Sequence, residues 1–305
     1  HDLYRVSDTP PFNASSIAPL TSGDAGGLLT GKVVLDIEVD STNRVFFTKD
    51  VTGWSNYPPL IKYFGPPNQG AGPNIYWFDY AGSPVGTVNT ISTGGVNVVA
   101  ICLGSNNDLY VMDYNHIFHH YLRSTNYTED VTAPFPMNLG PIIGNATGST
   151  GSSTYRMVGD VVQNWHNGAF YVLTVSGVSS NNGRLYRIPC DGSATSVSAT
   201  WTIIDIGSGS RNIDLAIDQI DSSGNPKPEG DVQLIVGGQS LFTAGQPDLW
   251  LFNCDLQMTA SADFGFNDTT ASKGRLVATR DNRLVTSNDY SRELEIFQTP
   301  PTGWQ

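Results

Sequence analysis

VVAICLGSNNDLYVMDYNHIFHHYLR, residues 98–123, sets a pattern that the rest of the chain repeats. An apolar run is broken by the polar turn Gly104-Ser105-Asn106-Asn107-Asp108. A second run ends at Asp113-Tyr114-Asn115, and an alternating run follows. β-Branched and aromatic residues fill the runs while Gly, Asn and Asp fill the turns, which predicts strand, hairpin, strand, turn, strand.

The same pattern extends outward in both directions. Residues 32–49 (KVVLDIEVDSTNRVFFTK) and 74–88 (NIYWFDYAGSPVGTV) supply one such unit before it. Three more follow, through MVGDVVQ, AFYVLTV and GRLYRIP, then IDLAID, VQLIVGG and DLWLFN, then GRLVATRD, RLVTSND and RELEIFQ. First strands start near Val33, Val96, Arg156, Asn212 and Gly274, about 60 residues apart. Units repeating at a fixed period bury their faces against their neighbours, the signature of a blade array. The expected fold is all-β, a single propeller domain over residues 1–305. Its blades lie near 33–91, 96–131, 156–206, 212–264 and 274–298, with a leader at 7–31 and a tail at 299–305. The last unit lacks a fourth strand, so residues 1–6 are expected to pair with residues 292–298 and close the ring. Six blades, with a divergent one in 7–31, 51–73 or 131–155, is the alternative count, and a β-sandwich with long loops the alternative fold.

Composition agrees with this class. Hydrophobic residues make up 39% and charged residues 14%, with 32 Gly and 18 Pro among 305 residues, which suits turn-rich strands and not helices. No run approaches the roughly 18 apolar residues of a membrane helix. A formal net charge of −12 repels nucleic acid and anionic membrane surfaces, so neither is an expected partner. The chain begins at His1, from which a removed secretory signal, and hence a secreted, extracellular protein, is expected. An N-terminal histidine also suggests the copper site of lytic polysaccharide monooxygenases, but nothing after His1 follows their pattern.

DIEVDSTNRVFFTKD, AICLGSNNDLYVMDYN and GRLVATRDNRLVTSND resemble the strand-turn-strand core of NHL-type propeller repeats. NIYWFDYAGSPVGTV is similar to YWTD-type repeats, with Trp77-Phe78-Asp79 at the Trp-Thr-Asp position. Both families usually have six blades. The resemblance implies a propeller, whose first strands line a channel. Acids on those strands are Asp36, Glu38, Asp160, Asp214 and Asp218. By resemblance to lactonase- and paraoxonase-type propellers, Asp36, Asp160, Asp214 and Asp218 are metal candidates, with calcium possible through hard oxygen ligands. By resemblance to five-bladed glycosidases, Asp36, Glu38, Asp160 and Asp214 are catalytic candidates, two carboxylates about 5–10 Å apart working as acid and base. The bland reading is that strand-end acids are solvated or satisfy turn amides.

Of three cysteines, Cys102 falls in an apolar strand and reads as a buried thiol, while Cys190 and Cys254 follow similar strands and are candidates for a disulfide. Sequons at Asn13, Asn126, Asn145 and Asn267 permit glycosylation. In NHIFHHYLR a strand would put His116 and His120 on one face, roughly 13 Å apart at about 3.3 Å per residue, too far for one metal. They read as outer-strand polar decoration, and His166 as a turn residue. The excursion around Trp54, Tyr57, Tyr63 and Phe64 is either an aromatic interaction loop or a cap over the propeller end. No Gly-X-Ser-X-Gly, Walker, HExxH or CxxC pattern occurs. The expectation is a secreted glycoprotein binding or structural module, without a cofactor, partnered by its own copies or by extracellular proteins and glycans. A secreted lactonase-, esterase- or glycosidase-like hydrolase is the alternative.

Overall fold

The structure, a computed structural model, describes residues 4–6, 14–16, 33–50, 75–80, 88–143, 156–176, 183–189, 202–206, 210–221, 223–240, 249–262, 273–278, 283–288 and 293–298. The first sheet runs β3 (Val33–Val39), β4 (Arg44–Asp50), β5 (Ile75–Asp79), β6 (Asn89–Ile91). It is preceded by a two-stranded sheet of β1 (Tyr4–Val6) and β2 (Ala14–Ser16). The second runs β7 (Val98–Leu103), β8 (Leu109–Asp113), β9 (Ile117–Leu122), β10 (Thr128–Asp130), with β11 (Met137–Asn138) also on β9. The third is β12 (Arg156–Gln163), β13 (Phe170–Ser176), β14 (Gly183–Ile188), β15 (Thr202–Ile206). The fourth is β16 (Ser210–Asp218), β17 (Gln233–Ser240), β18 (Leu249–Asn253), β19 (Met258–Ala262). The last has three strands, β20 (Lys273–Ala278), β21 (Arg283–Asn288) and β22 (Glu293–Gln298).

Every one of these sheets is an antiparallel meander, and the first strands β3, β7, β12, β16 and β20 lie side by side in chain order. The protein is therefore an all-β array of blade-like sheets stacked face to face. Among the described residues the only α-helix is Gly140–Ile143, and no helix is long and apolar enough to cross a membrane.

Burial on both faces explains why the strands read as continuous apolar runs. On β13, Phe170 and Val172 pack toward the second sheet with Tyr110, Met112 and Phe118. The alternating Tyr171 and Leu173 pack toward the fourth, with Leu215, Val236 and Trp250. A third cluster joins Phe46, Trp77 and Ile91 of the first sheet to Ile101, Leu103, Val111 and Tyr121 of the second. Each successive pair of these sheets thus shares one apolar layer.

The hairpins are built from one local device. Asp40 Oδ1 accepts the N–H groups of Thr42 (2.8 Å) and Arg44 (2.9 Å), while Asn43 adopts φ 63°. In the β18–β19 turn Asn253 Oδ1 accepts from Asp255 (3.1 Å) and Gln257 (2.8 Å), and Leu256 sits at φ 60°. Asp113 and His116 (φ 63°) repeat it between β8 and β9, with Ile117 N–H donating to Asp113 Oδ1 at 2.7 Å. These are three-residue hairpin loops in which an acid or amide closes the turn and the last loop residue is left-handed.

Three expectations need correction. Tyr4–Val6 does not pair with the last sheet: it pairs with Ala14–Ser16, residues close in sequence, whose loop costs far less entropy to close than one spanning the chain. Cys254 carries a free thiol in place of the bridge to Cys190. It lies in the β18–β19 turn, where Asn164 Nδ2 reaches its Sγ at 3.2 Å; Cys190 lies outside the described residues. The histidines are not surface decoration, and His116 does not share a strand face with His120. His116 occupies the turn, while His119 and His120 are 8% and 9% exposed on opposite faces of β9.

Candidate functional site

Each first strand breaks register once against its second strand: between Val34 and Asp36, Val98 and Ala100, Val158 and Asp160, Asn212 and Asp214, and Lys273 and Leu276. Such a bulge re-aims the residue that follows it. That residue is Asp in the first, third and fourth sheets, so three of the candidate acids occupy one structural position.

The contacts made there repeat. Asp36 Oδ1 accepts the N–H of Ile37 at 3.0 Å, and its Oδ2 accepts the N–H of Ile101, on the next sheet, at 2.8 Å. Asp160 Oδ1 accepts from Val161 at 2.8 Å and its Oδ2 from Leu215, again on the next sheet, at 3.2 Å. Both side chains are buried, at 6% exposure. Ile101 and Leu215 each sit one residue past their own bulge. The carboxylates are clips that tie neighbouring inner strands through main-chain amides, accepting from N–H groups on β7 and β16, the edge strands of their sheets. Ala100 lacks the side chain to do this in the second sheet. Asp214 shares the register position in the fourth, where β20 is the neighbouring strand.

Glu38 is half-buried on β3, two residues beyond the clip. Cys102, two residues beyond Ala100, is where these acids converge. Burial pushes its thiol well up, and the charges of Glu38, Asp160 and Asp36 push it further. A neutral buried thiol beside three acids is chemically inert. Asp218 stands apart, in a buried ion pair with Lys227 at 2.7 Å. The structure thus brings Asp36, Glu38 and Asp160 into one electrostatic neighbourhood and places Asp218 elsewhere. Among the described residues no group of three His, Cys, Asp or Glu side chains is arranged to hold a metal ion.

A second set of polar contacts closes the far ends of the first strands. Gln219 Nε2 donates to the Gln163 carbonyl at 3.0 Å, its Oε1 accepts the Trp165 N–H at 3.0 Å, and Trp165 Nε1 donates to the Leu103 carbonyl at 3.2 Å. Trp165 thereby links the second, third and fourth sheets.

Of the sequons, Asn126 is described. It is exposed, at φ 57°, just after a 3₁₀ turn over Arg123–Thr125, and Thr128 is exposed beside it. Asn13, Asn145 and Asn267 lie outside the described residues, as do Trp54, Tyr57, Tyr63 and Phe64. Sequence reasoning missed the carboxylate pairing of His119 and His120. The signal was present in Glu129-Asp130, which the tight turn after Leu122 folds back alongside Tyr121 and His120.

No protein-family model and no curated protein matches the chain. Among solved structures it is similar to a calcium-binding protein, regucalcin, from Agrobacterium tumefaciens strain C58, at 8% identity and a TM-score of 0.46, covering 88% of this chain and 71% of that one.

Proposed function

We propose that this chain is a single β-propeller domain of five blades that works as a secreted binding or structural module, assembling with its own copies or with extracellular proteins and glycans. The observation that carries this reading is the use made of the inner-strand acids. Both oxygens of Asp36 and of Asp160 are occupied by main-chain amides, so these carboxylates hold sheets together instead of facing a substrate. Asn126, exposed at a turn, fits a glycan on the outer rim.

A calcium-dependent hydrolase is the second reading, favoured by the convergence of Asp36, Glu38 and Asp160 on Cys102. Native mass spectrometry and electron microscopy of material from its source separate the two. Oligomers or filaments with glycan mass support the module. Monomers that take up calcium stoichiometrically and lose it in Asp160→Asn overturn it in favour of the hydrolase.

A further inference from the structure

The outer part of the second sheet carries two buried histidines, each set between two carboxylates. His120 Nε2 lies 3.1 Å from Asp108 Oδ2 and its Nδ1 lies 3.2 Å from Asp130 Oδ2. A neutral imidazole has one N–H and one lone pair, so it can donate to only one of these oxygens. Only the imidazolium donates to both. His119 repeats half of it on the other face of β9: its Nδ1 lies 2.7 Å from Glu129 Oε1, while its Nε2 faces Asp113 Oδ2 at 3.9 Å, an ion-pair distance too long for a hydrogen bond.

We propose that His119 and His120, as imidazolium ions, clasp strand β10 and the loop through Phe135 onto β9, and that the clasp loosens as pH rises. The carboxylates on one side are fixed by the sheet: Asp108 accepts the Arg123 N–H at 2.7 Å, and Asp113 accepts the Ile117 N–H at 2.7 Å. Those on the other side, Glu129 and Asp130, lie on the outermost strand of the sheet, only three residues long and laddered to β9 alone. Asp130 is itself bonded to the N–H and hydroxyl of Thr132, so the clasp extends into the following loop. That loop delivers Phe135, whose ring is 5.0 Å from His120 and 5.6 Å from Tyr110, while Tyr110 stacks flat on His120 at 4.5 Å.

The groups facing the two imidazoles are Asp108, Tyr110 and Asp113 from β8 and its flanks, Glu129 and Asp130 from β10, and Tyr121 on β9 itself. Residues 132–138 add no titratable side chain. Four carboxylates therefore surround two imidazoles; Arg123, the one Lys or Arg between residues 109 and 138, turns its guanidinium away to Asp40 at 3.5 Å and Thr42 at 3.1 Å. Burial lowers the His119 pKa, but Asp113 and Glu129 outweigh it and the net shift is upward. A raised folded-state pKa contributes stability fully below the ordinary histidine value of about 6.5 and loses it as pH rises through the folded value. On the acid side, the Thr132 hydrogen bonds hold the Asp130 carboxyl below the usual carboxylate range, so its half of the clasp stays ionised into acid.

The test is a titration of the imidazole resonances of the full chain, assigned through ring contacts to Tyr110 and Phe135, with amide exchange followed over the same range. The expected result is that His119 titrates above about 6.5, and that protection of residues 127–130 relative to β13 falls between about pH 6 and 9, roughly tenfold per unit of upward shift. In His119→Gln/His120→Gln that pH dependence disappears. A His119 midpoint at or below about 6.5, or relative protection that stays constant across the range, overturns the proposal. Both outcomes are read from the wild-type chain, whether or not the variant folds.

Discussion

Asp36 shows how much one residue decides here. Its two oxygens accept two amides on different sheets, and an amide side chain cannot replace it, because the Nδ2 of asparagine would face an N–H donor. Asp36→Asn is expected to leave one buried N–H without a partner and to cost about 1–3 kcal/mol, read from denaturant unfolding at neutral pH. An unchanged midpoint would remove the clip from the account of stability. Gly104 is a second such position. A Cβ built there would lie 2.9 Å from Gln163 Oε1, 3.0 Å from Tyr110 Cε2 and 3.1 Å from Asn106 Oδ1. The glutamine tip could yield, but the tyrosine ring is packed in the core between the second and third sheets. Gly104→Ala is therefore expected to destabilise by about 1–3 kcal/mol, measured the same way.

At the scale of the element, strands and turns were legible and the bulges were not. KVVLDIEVDSTNRVFFTK gives its two strands and its turn directly, because β-branched and aromatic residues flank a polar tetrad. The turn appears with Asp40 as the acceptor and Asn43 left-handed. A bulge leaves no compositional trace: Leu35 and Val99 read as ordinary strand residues. Without the bulges, Asp36, Asp160 and Asp214 are scattered acids; with them, they share one register. His116 was misread for a related reason: the turn runs one residue further than its composition suggests and takes His116 off the strand, while His119 and His120 keep their opposite faces. The turn itself is testable. Asn tolerates φ 63° because its short polar side chain suits the left-handed region, whereas a β-branched side chain does not. Asn43 is exposed, so Asn43→Val isolates the backbone penalty, expected at about 1–2 kcal/mol, while Asn43→Gly should be neutral or slightly stabilising.

For the whole molecule, the decisive property is that each sheet is buried only by its neighbours. Ile101 and Val161 are 0% exposed and Leu215 2%, each lying just past the bulge of an inner strand covered by the preceding sheet. Ile37, at the same position in the first sheet, is 38% exposed, and Val39 is 56% exposed. Among the described residues β3 does not pack along β20 as the other first strands pack along theirs. The order of sheets was legible from the 60-residue period; how the ends meet was not, because it depends on the side of β3 that no repeat in the sequence specifies. This predicts opposite outcomes for the two terminal truncations. Removing residues 1–6 takes away one strand of an isolated pair, which is marginal by itself, so the loss should stay below about 1 kcal/mol. Removing residues 273–305 uncovers the faces of β16 and β17 that β20 packs on, and should lower the melting temperature by several degrees or bring aggregation. Thermal melts of both truncations against the full chain decide the matter. If residues 1–6 prove to be the ones whose loss unfolds the protein, the terminal strand closes the array after all.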